Sequence, residues 1–266
     1  MRIVPATEGD VLAYIGFLSN EGQVSHNSLP QYISAVSRYH ELHFLPLPTK
    51  TPMVRAVMKA YARRMETDGS VRAIRVGCPA SLMAKVVAAG LTSNDQIDLD
   101  ACAATVLAFV FQLRAVSVNN LHRRDVVISD GLIVASIFRR KGKSIRRPSM
   151  LRYASAETWE PENPFALIKK WVCSHTDPKA VMNLSLSDAL DRSMALVNGV
   201  PSTGCRFTSH TPRIGGYNEL LGLGLSKEWI MRRLNWESEA MLRVYLDSSI
   251  VPTDHSRWFF AHLRPS

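Results

Sequence analysis

Residues 209–249 read SHTPRIGGYNELLGLGLSKEWIMRRLNWESEAMLRVYLDSS, and this stretch decides the fold of the chain. Serine is a preferred residue immediately before a helix, and Ser209, Ser226 and Ser238 each precede a run of helical character. The stretch therefore predicts three consecutive helices. Four of its side chains are also candidates for chemistry: His210, Arg213, Trp236 and Tyr245.

Upstream of this stretch the hydrophobic pattern changes from helical to β-rich. Residues 126–138, VVISDGLIVASIF, contain two β-rich runs about an Asp130-Gly131 turn, which predicts a β-hairpin. A third run, Ile145 to Leu151, follows the basic turn RRKGKS and completes a small antiparallel sheet. Helices are predicted on both sides of the sheet: Ala80 to Gly90, Leu99 to Leu113, and further ones opening at Asn163-Pro164 and Ser187.

The first 70 residues predict a unit made of helices. Thr7 with Asp10 forms a capping-box pattern, and Ser28 with Gln31 opens a second helix. The inner face of that helix carries Leu29, Ile33, Val36 and His40, and the inner face of a third carries Val54, Val57, Met58, Tyr61 and Met65. The outer face of the third helix is basic and comprises Arg55, Lys59, Arg63 and Arg64.

The fold class predicted from these patterns is mainly α with a small antiparallel β-sheet (α+β). TDGSVRAIRVGCP, residues 67–79, lacks periodicity and is rich in Gly, Ser and Arg. We interpret it as a junction and expect a helical domain over 1–72, a basic linker over 73–79 and a second domain over 80–266.

The charge balance favours a polyanionic partner. The chain has 32 Lys and Arg against 23 Asp and Glu, a formal net charge of +9. Nucleic acid heads the list of such partners, because basic side chains release condensed counterions from it on binding. The ordinary alternative is that these side chains serve solubility alone.

Cysteine and histidine usage excludes the common metal and disulfide frameworks. The four cysteines form no CxxC pair, and His40 and His43 lack neighbouring ligands, so we expect no metal and no cofactor. A reducing compartment fits this pattern. No apolar run approaches the roughly 18 residues of a membrane span, and the N-terminus lacks a signal-peptide core, so we expect an intracellular protein.

The order of the candidate residues resembles one family. His210-Thr-Pro-Arg213 is similar to the HxxR box of tyrosine recombinases; Trp236 lies 23 residues beyond Arg213, and Tyr245 nine beyond Trp236. LNWES is similar to the family's GH/W-S segment, and QLRAVSVNNLHRRDV, residues 112–126, resembles its first-arginine box. In that box Arg114 is the arginine, Leu121 the apolar anchor and Asp125 the residue that opens the next strand.

The resemblance implies a helical core-binding domain and a tyrosine-recombinase catalytic domain. The resemblance covers most of the chain, including SLPQYISAVSRYHELHFLPLP in the first domain. The GG after Arg213 and the SRWFF near the end are more similar to the eukaryotic crypton-like or DIRS-like mobile elements. A protein of that branch would be located in the nucleus. The implied activity is site-specific DNA strand exchange by a homo-tetramer on double-stranded DNA, without metal or ATP. The implied catalytic residues are Arg114, Lys141, His210, Arg213, Trp236 and Tyr245.

Elementary chemistry agrees with these residue types. A phosphodiester attacked by a tyrosine gains negative charge, and two arginine forks such as Arg114 and Arg213 match phosphate oxygens. His210 can donate a hydrogen bond or exchange a proton, whereas the Trp236 indole can only donate. Tyr245 is the nucleophile, and a nearby positive charge favours its phenolate.

Two positions stay open. The family's lysine, which protonates the leaving oxygen, falls in the turn RRKGKS; Lys141 is our choice, with Lys143 as the alternative, and strict counting back from Pro148 would place Arg140 there. Arg140 and Lys143 are then expected to contact DNA, as are the basic residues on the outer face of the third helix, Arg55, Lys59, Arg63 and Arg64. Three residues after Arg114 the family usually has an acidic residue, where this chain has Ser117.

Each residue alone has an ordinary explanation. Tyr245 and Trp236 could be core aromatics, Arg114 could cap a helix C-terminus, and RRKGKSIRR could be a solvated loop or a nuclear-import signal. The joint order and spacing favour the recombinase. Two alternatives remain, an inactive DNA-binding protein of this fold and a type IB topoisomerase-like enzyme. The segment after Tyr245, with Trp258, Phe259 and Phe260, is expected to pack either between protomers or within the chain.

Overall fold

The structure is a computed structural model that describes residues 5–20, 24, 28–67, 74–129, 131–138, 148–154, 163–174, 184–234, 246 and 253–260. The chain divides into two compact units, Met1–Arg72 and Ala73–Ser266. The predicted fold class, mainly α with a small antiparallel sheet, is confirmed. None of the helices in the described ranges is long and apolar enough to cross a bilayer.

The smaller unit is helical. Its elements are α1 (Glu8–Asn20), α2 (Leu29–Leu42), a 3-10 turn (Pro48–Lys50) and α3 (Pro52–Thr67). The predicted capping box opens α1: the Thr7 N–H donates to Asp10 Oδ2 at 2.9 Å, and the Asp10 N–H donates to Thr7 Oγ1 at 3.2 Å. A small apolar core holds the helices together and consists of Val11, Ile15, Leu18, Leu29, Ile33 and Val54.

His40 is a structural residue of this small core rather than a metal ligand. It is buried, its Nδ1 lies 2.6 Å from the Pro46 carbonyl oxygen, and its Nε2 accepts the Ala6 N–H at 3.1 Å. A carbonyl oxygen can only accept, so Nδ1 is the donor in this contact and Nε2 is the acceptor in the other. His40 therefore ties the segments before α1 and after α2 to each other.

The larger unit contains the antiparallel sheet and the other helices of the described residues. Its helices are α4 (Ala80–Thr92), α5 (Gln96–Val110), α6 (Ala115–Val118), α7 (Pro164–Ser174), α8 (Leu186–Leu196), α9 (Thr211–Gly222), α10 (Lys227–Leu234) and α11 (Asp254–Phe259), with a 3-10 turn at Arg123–Asp125. Its strands are β1 (Ile74–Arg75), β2 (Val126–Ser129), β3 (Leu132–Phe138), β4 (Pro148–Ala154) and β5 (Cys205–Arg206).

The core of this unit is built around α5. Every residue of α5 from Leu99 to Val110 is buried, and α5 packs against α4, α7, α8 and α9. The antiparallel sheet has the order β2-β3-β4, with Val126 opposite Ala135 and Phe138 opposite Pro148. The predicted hairpin is confirmed. The third strand is described over Pro148–Ala154, and residues 145–147 of the predicted run lie outside the described residues.

Residues 74–78, predicted to lie in a linker, are part of the larger unit. β1 pairs in parallel with β5, Cys78 is fully buried, and the Cys78 N–H donates to the Thr211 carbonyl at 3.3 Å. A Cβ added at Gly215 would overlap the Cys78 carbonyl oxygen and lie 2.8 Å from its nitrogen. The sequence pattern missed this because a two-residue strand has no readable alternation.

The end of the described chain packs into its own core. Phe259 and Phe260 are buried, with ring centroids 5.3 Å and 5.6 Å from that of Phe109 on α5. Of the two packing modes expected for these residues, the single chain therefore has the intramolecular one. Ser256, on the same helix, is also buried and hydrogen-bonds the buried carboxylate of Glu219 on α9.

Glu219 makes the stability of this packing dependent on pH. Burial raises the pKa of its carboxyl, outweighing hydrogen bonds from Ser256 and the Ala80 N–H. A raised folded-state pKa contributes stability that is present below the unfolded pKa and is lost as the pH rises through the folded pKa. We therefore expect Glu219→Gln, which is neutral at every pH, to raise the melting temperature at pH 7–8.

The gain should shrink as the pH approaches 4.5, the ordinary pKa of a glutamate, because the wild-type carboxyl is then also protonated. Thermal melts of both proteins between pH 4 and pH 8 measure the difference. An offset between the two melting temperatures that stays constant with pH would contradict the assignment.

Candidate phosphate-binding site

The first candidate arginine follows a sharp turn at the end of α5. Gln112 adopts a left-handed backbone with φ of 47° and is buried. Its side-chain Nε2 donates to the carbonyl oxygens of Phe109 at 2.8 Å and Val110 at 3.0 Å, which satisfies acceptors that the helix end leaves open. The chain then becomes extended at Arg114, which lies half-buried at the start of α6.

The second arginine and the histidine lie at the beginning of α9. The Thr208 N–H donates to Thr211 Oγ1 at 2.9 Å, and the His210 N–H donates to Thr208 Oγ1 at 3.2 Å, so two hydroxyls fix the entry to the helix. His210 is half-buried, and Arg213, one turn along, has only 4% of its surface exposed. A cation at a helix N-terminus opposes the helix dipole, so this placement does not serve the helix.

Contact between α5 and α9 holds these two regions together. A Cβ added at Gly216 would overlap the Phe109 carbonyl oxygen and lie 3.0 Å from Gln112 Nε2. Gly216 stands one helical turn from Arg213, and Gln112 stands two residues before Arg114. The absence of a side chain at Gly216 therefore sets the distance between the segments that carry the two arginines.

The pKa of His210 reports the charges that act on this residue. The pKa of His210 is lowered from its ordinary value of 6.5, first by burial and then by the positive charges of Arg75, Arg213 and Arg114. Mutual repulsion of this kind is offset when an anion binds among the cations. Together with the positive end of the α9 dipole, the arrangement fits a phosphate group.

Arg75 is a member of this group that sequence reasoning missed. It was assigned to the linker on its basic composition, and no motif singled it out. Only the three-dimensional pairing of the strands reveals it: β1, which carries Arg75, lies beside β5, and β5 ends a few residues before His210 in the chain.

Ser117, the residue where an acidic one was expected, lies on α6. It is half-buried, and its N–H donates to the Arg114 carbonyl at 2.8 Å. This bond helps to close the turn that presents Arg114.

Several predicted site residues lie outside the described residues. They are Arg140, Lys141, Lys143, Trp236 and Tyr245. The described chain reaches Leu234 at the end of α10 and includes Leu246, with 51% of its surface exposed, directly after Tyr245.

The four basic residues predicted for DNA contact in the smaller unit share one helix. All are exposed on α3: Arg55, Lys59, Arg63 and Arg64. The apolar side of the same helix is confirmed for Val54, which is buried, and for Val57, Met58 and Tyr61, which pack against the small core; the side chain of Met65 is not among those described.

Comparison with known proteins defines the fold. No protein-family model matches the chain, and neither does any curated protein. Among solved structures, the Tn1549 transposon integrase in complex with circular intermediate DNA matches with a TM-score of 0.57 at 13% identity, covering 98% of this chain and 86% of that chain. A lambda integrase dimer bound to a COC′ core site matches with a TM-score of 0.52 at 16% identity, covering 93% and 66%.

The fold is thus that of the tyrosine recombinases and integrases, the class that the order of motifs resembles. At these identities the likeness is one of fold.

Proposed function

We propose that the chain is a tyrosine recombinase that cuts and rejoins double-stranded DNA through a 3′-phosphotyrosyl intermediate. The observation that supports the proposal is that the positive charges of Arg114 and Arg213 act on His210, whose pKa they lower, in a chain with the tyrosine-recombinase fold. Two guanidinium groups beside an imidazole can hold one phosphodiester and stabilise the charge that it gains in the transition state.

The reaction follows from the chemistry of the proposed residues. The Tyr245 oxygen attacks the scissile phosphorus, and its proton passes towards His210, whose lowered pKa keeps the ring neutral near pH 7 and able to accept it. The bond to the 5′-oxygen breaks, and that oxygen takes a proton from Lys141. Trp236 donates its indole N–H to a phosphate oxygen. A 5′-hydroxyl from a second strand reverses the steps, so the exchange consumes no ATP. The arginines take the place of a metal ion in stabilising the charge on the phosphate.

The partner is double-stranded DNA. The exposed basic face of α3 and the turn that holds Arg140 and Lys143 would contact phosphates, in keeping with a net charge of +9. The protein would act as a homo-tetramer on paired sites, inside the cell and at the DNA, in the nucleus if the mobile-element branch is eukaryotic. The solved relatives in fold are themselves bound to DNA, which supports this choice of partner.

The fall in the rate of covalent capture at acidic pH should reflect the protonation of His210. In the free protein burial and three arginines lower its pKa, so the rate of covalent capture at low DNA concentration should stay flat from pH 8 to below 6.5 before it falls. His210→Gln is expected to reduce that rate about 100-fold at pH 7.5 and to remove the acid limb. A wild-type limb centred above pH 6.5 would argue against this environment.

Covalent capture on a nicked suicide substrate tests the proposal. The substrate carries the terminal sequence of the element, the buffer contains EDTA, and the products are separated on a denaturing gel. A protein–DNA band that resists denaturation is the expected result.

Salt-sensitive binding to a verified cognate site without such a band would favour the inactive DNA-binding protein, for which Ser117 is the sequence argument. Relaxation of supercoiled plasmid by a protein that stays monomeric on DNA would favour the topoisomerase-like enzyme.

A further inference from the structure

Two arginines, Arg75 and Arg206, lie opposite each other on the neighbouring strands β1 and β5. β1 and β5 pair in parallel with Ile74 opposite Cys205 and Arg75 opposite Arg206. Neighbouring strands lie about 4.8 Å apart, and side chains in register on adjacent strands leave the same face of a sheet. Both arginines are exposed. The two guanidinium groups therefore start side by side and can converge on one ligand.

This pairing is unfavourable unless something compensates for it. Like charges opposite each other on adjacent strands destabilise a sheet. Within the described ranges no carboxylate forms an ion pair with Arg75 or Arg206, whereas Arg192 is paired with Asp95 at 3.2 Å and also with Asp98. In the part of the chain that the structure describes, an arginine elsewhere is thus neutralised, and a ligand of negative charge could do the same for these two.

The pair is fixed to the site by the backbone. The hydrogen bond from the Cys78 N–H to the Thr211 carbonyl and the close approach of Cys78 to Gly215 join the end of the β1 segment to the first turn of α9. The repulsion that Arg75 exerts on His210 is larger than that of Arg213 or Arg114, which agrees with this geometry.

We infer that Arg75 and Arg206 bind a second phosphate of the DNA strand, next to the one that Arg114 and Arg213 hold. The identity of that phosphate rests on the proposed function. Two neighbouring clamps would fix the direction of the strand through the site, because one phosphate alone leaves the backbone free to rotate about it.

The first experiment tests whether the positive charge of Arg75 acts on His210. NMR titration of the His210 imidazole in the protein without DNA should show a higher pKa in Arg75→Met than in wild type, since a like charge is removed. Arg192→Met removes the same charge from a residue already paired with carboxylates and should leave it unchanged. Adding inorganic phosphate to wild type should raise the pKa of His210, and less so in the Arg75→Met, Arg206→Met double variant.

The second arm separates DNA from free phosphate. The affinity for a 40-base-pair duplex is measured against salt concentration, with thermal melts to verify folding. Each of Arg75→Met and Arg206→Met should reduce the slope of log affinity against log salt by about one, and the double variant by about two. Arg192→Met should keep the wild-type slope, and Arg75→Lys should restore most of it because the charge is retained.

The outcomes distinguish the inference from the proposed function. If the wild-type protein binds and captures DNA while both methionine variants keep the wild-type salt slope, Arg75 and Arg206 do not bind a second phosphate, and the proposed recombinase function is unaffected. If inorganic phosphate shifts His210 but the duplex slopes do not change, the pair takes a free anion and the inference fails. If wild type binds no duplex at all, both proposals fail.

Discussion

Tyr245→Phe is expected to form no covalent protein–DNA product, a loss beyond the detection limit of the capture assay, while its DNA affinity stays within about threefold of wild type. The substitution removes one oxygen, and that oxygen is the atom proposed to bond to phosphorus. Affinity is expected to persist because phosphate contacts from arginine and lysine supply most of it. Denaturing gels and a binding titration on the same suicide substrate measure the two quantities.

Tyr217→Phe is the matched control, since it makes the same change on α9, four residues after Arg213. Tyr217 is fully buried, and burial raises the pKa of its hydroxyl, so it is poorly suited to attack. This variant should form the covalent product as wild type does. A product that survives in Tyr245→Phe and disappears in Tyr217→Phe would overturn the assignment of the nucleophile.

Gly215→Ala is expected to destabilise the larger unit by about 3 kcal/mol or more, because the new methyl group overlaps the Cys78 backbone. A backbone carbonyl cannot turn away as a side chain can, so α9 and the β1 segment must separate. For a unit of this size the loss corresponds to a melting temperature lower by roughly 6–12 °C. Urea titration followed by circular dichroism measures the free energy of unfolding.

Gly16→Ala provides the comparison, since a Cβ at Gly16 on α1 would have nothing within 4 Å. Alanine is favoured over glycine in a helix by about 0.5–1 kcal/mol, so this variant should gain stability in the smaller unit. Equal effects of the two substitutions would show that the contact between Gly215 and Cys78 is not close in solution.

Local signals made much of the fold predictable. The Thr7–Asp10 box, Asn163-Pro164 and the apolar face of α3 depend on residues within a turn or two, and all three appear as predicted. The hairpin also follows from a local pattern, with Gly131 at φ of 73° in its turn. Interactions of this short range can be read directly from the sequence.

Long-range pairing could not be predicted in the same way. β1 and β5 are separated by about 130 residues, and each is too short to show alternation, so Arg75 was assigned to a linker. Arg114, Arg213 and His210 were recognised through their order and spacing, whereas Gln112, which turns the chain towards Arg114, opens the first-arginine box but was given no role from the sequence.

The left-handed backbone at Gln112 has an evolutionary consequence. A positive φ costs most side chains about 1–2 kcal/mol and costs glycine almost nothing, and at Gln112 the two hydrogen bonds to Phe109 and Val110 offset that cost. Substitution of Gln112 by glycine or asparagine should therefore be tolerated, whereas substitution by valine or isoleucine should not, although the surroundings are apolar. A lineage that replaced the glutamine would keep its first arginine in place through a smaller residue rather than a more hydrophobic one.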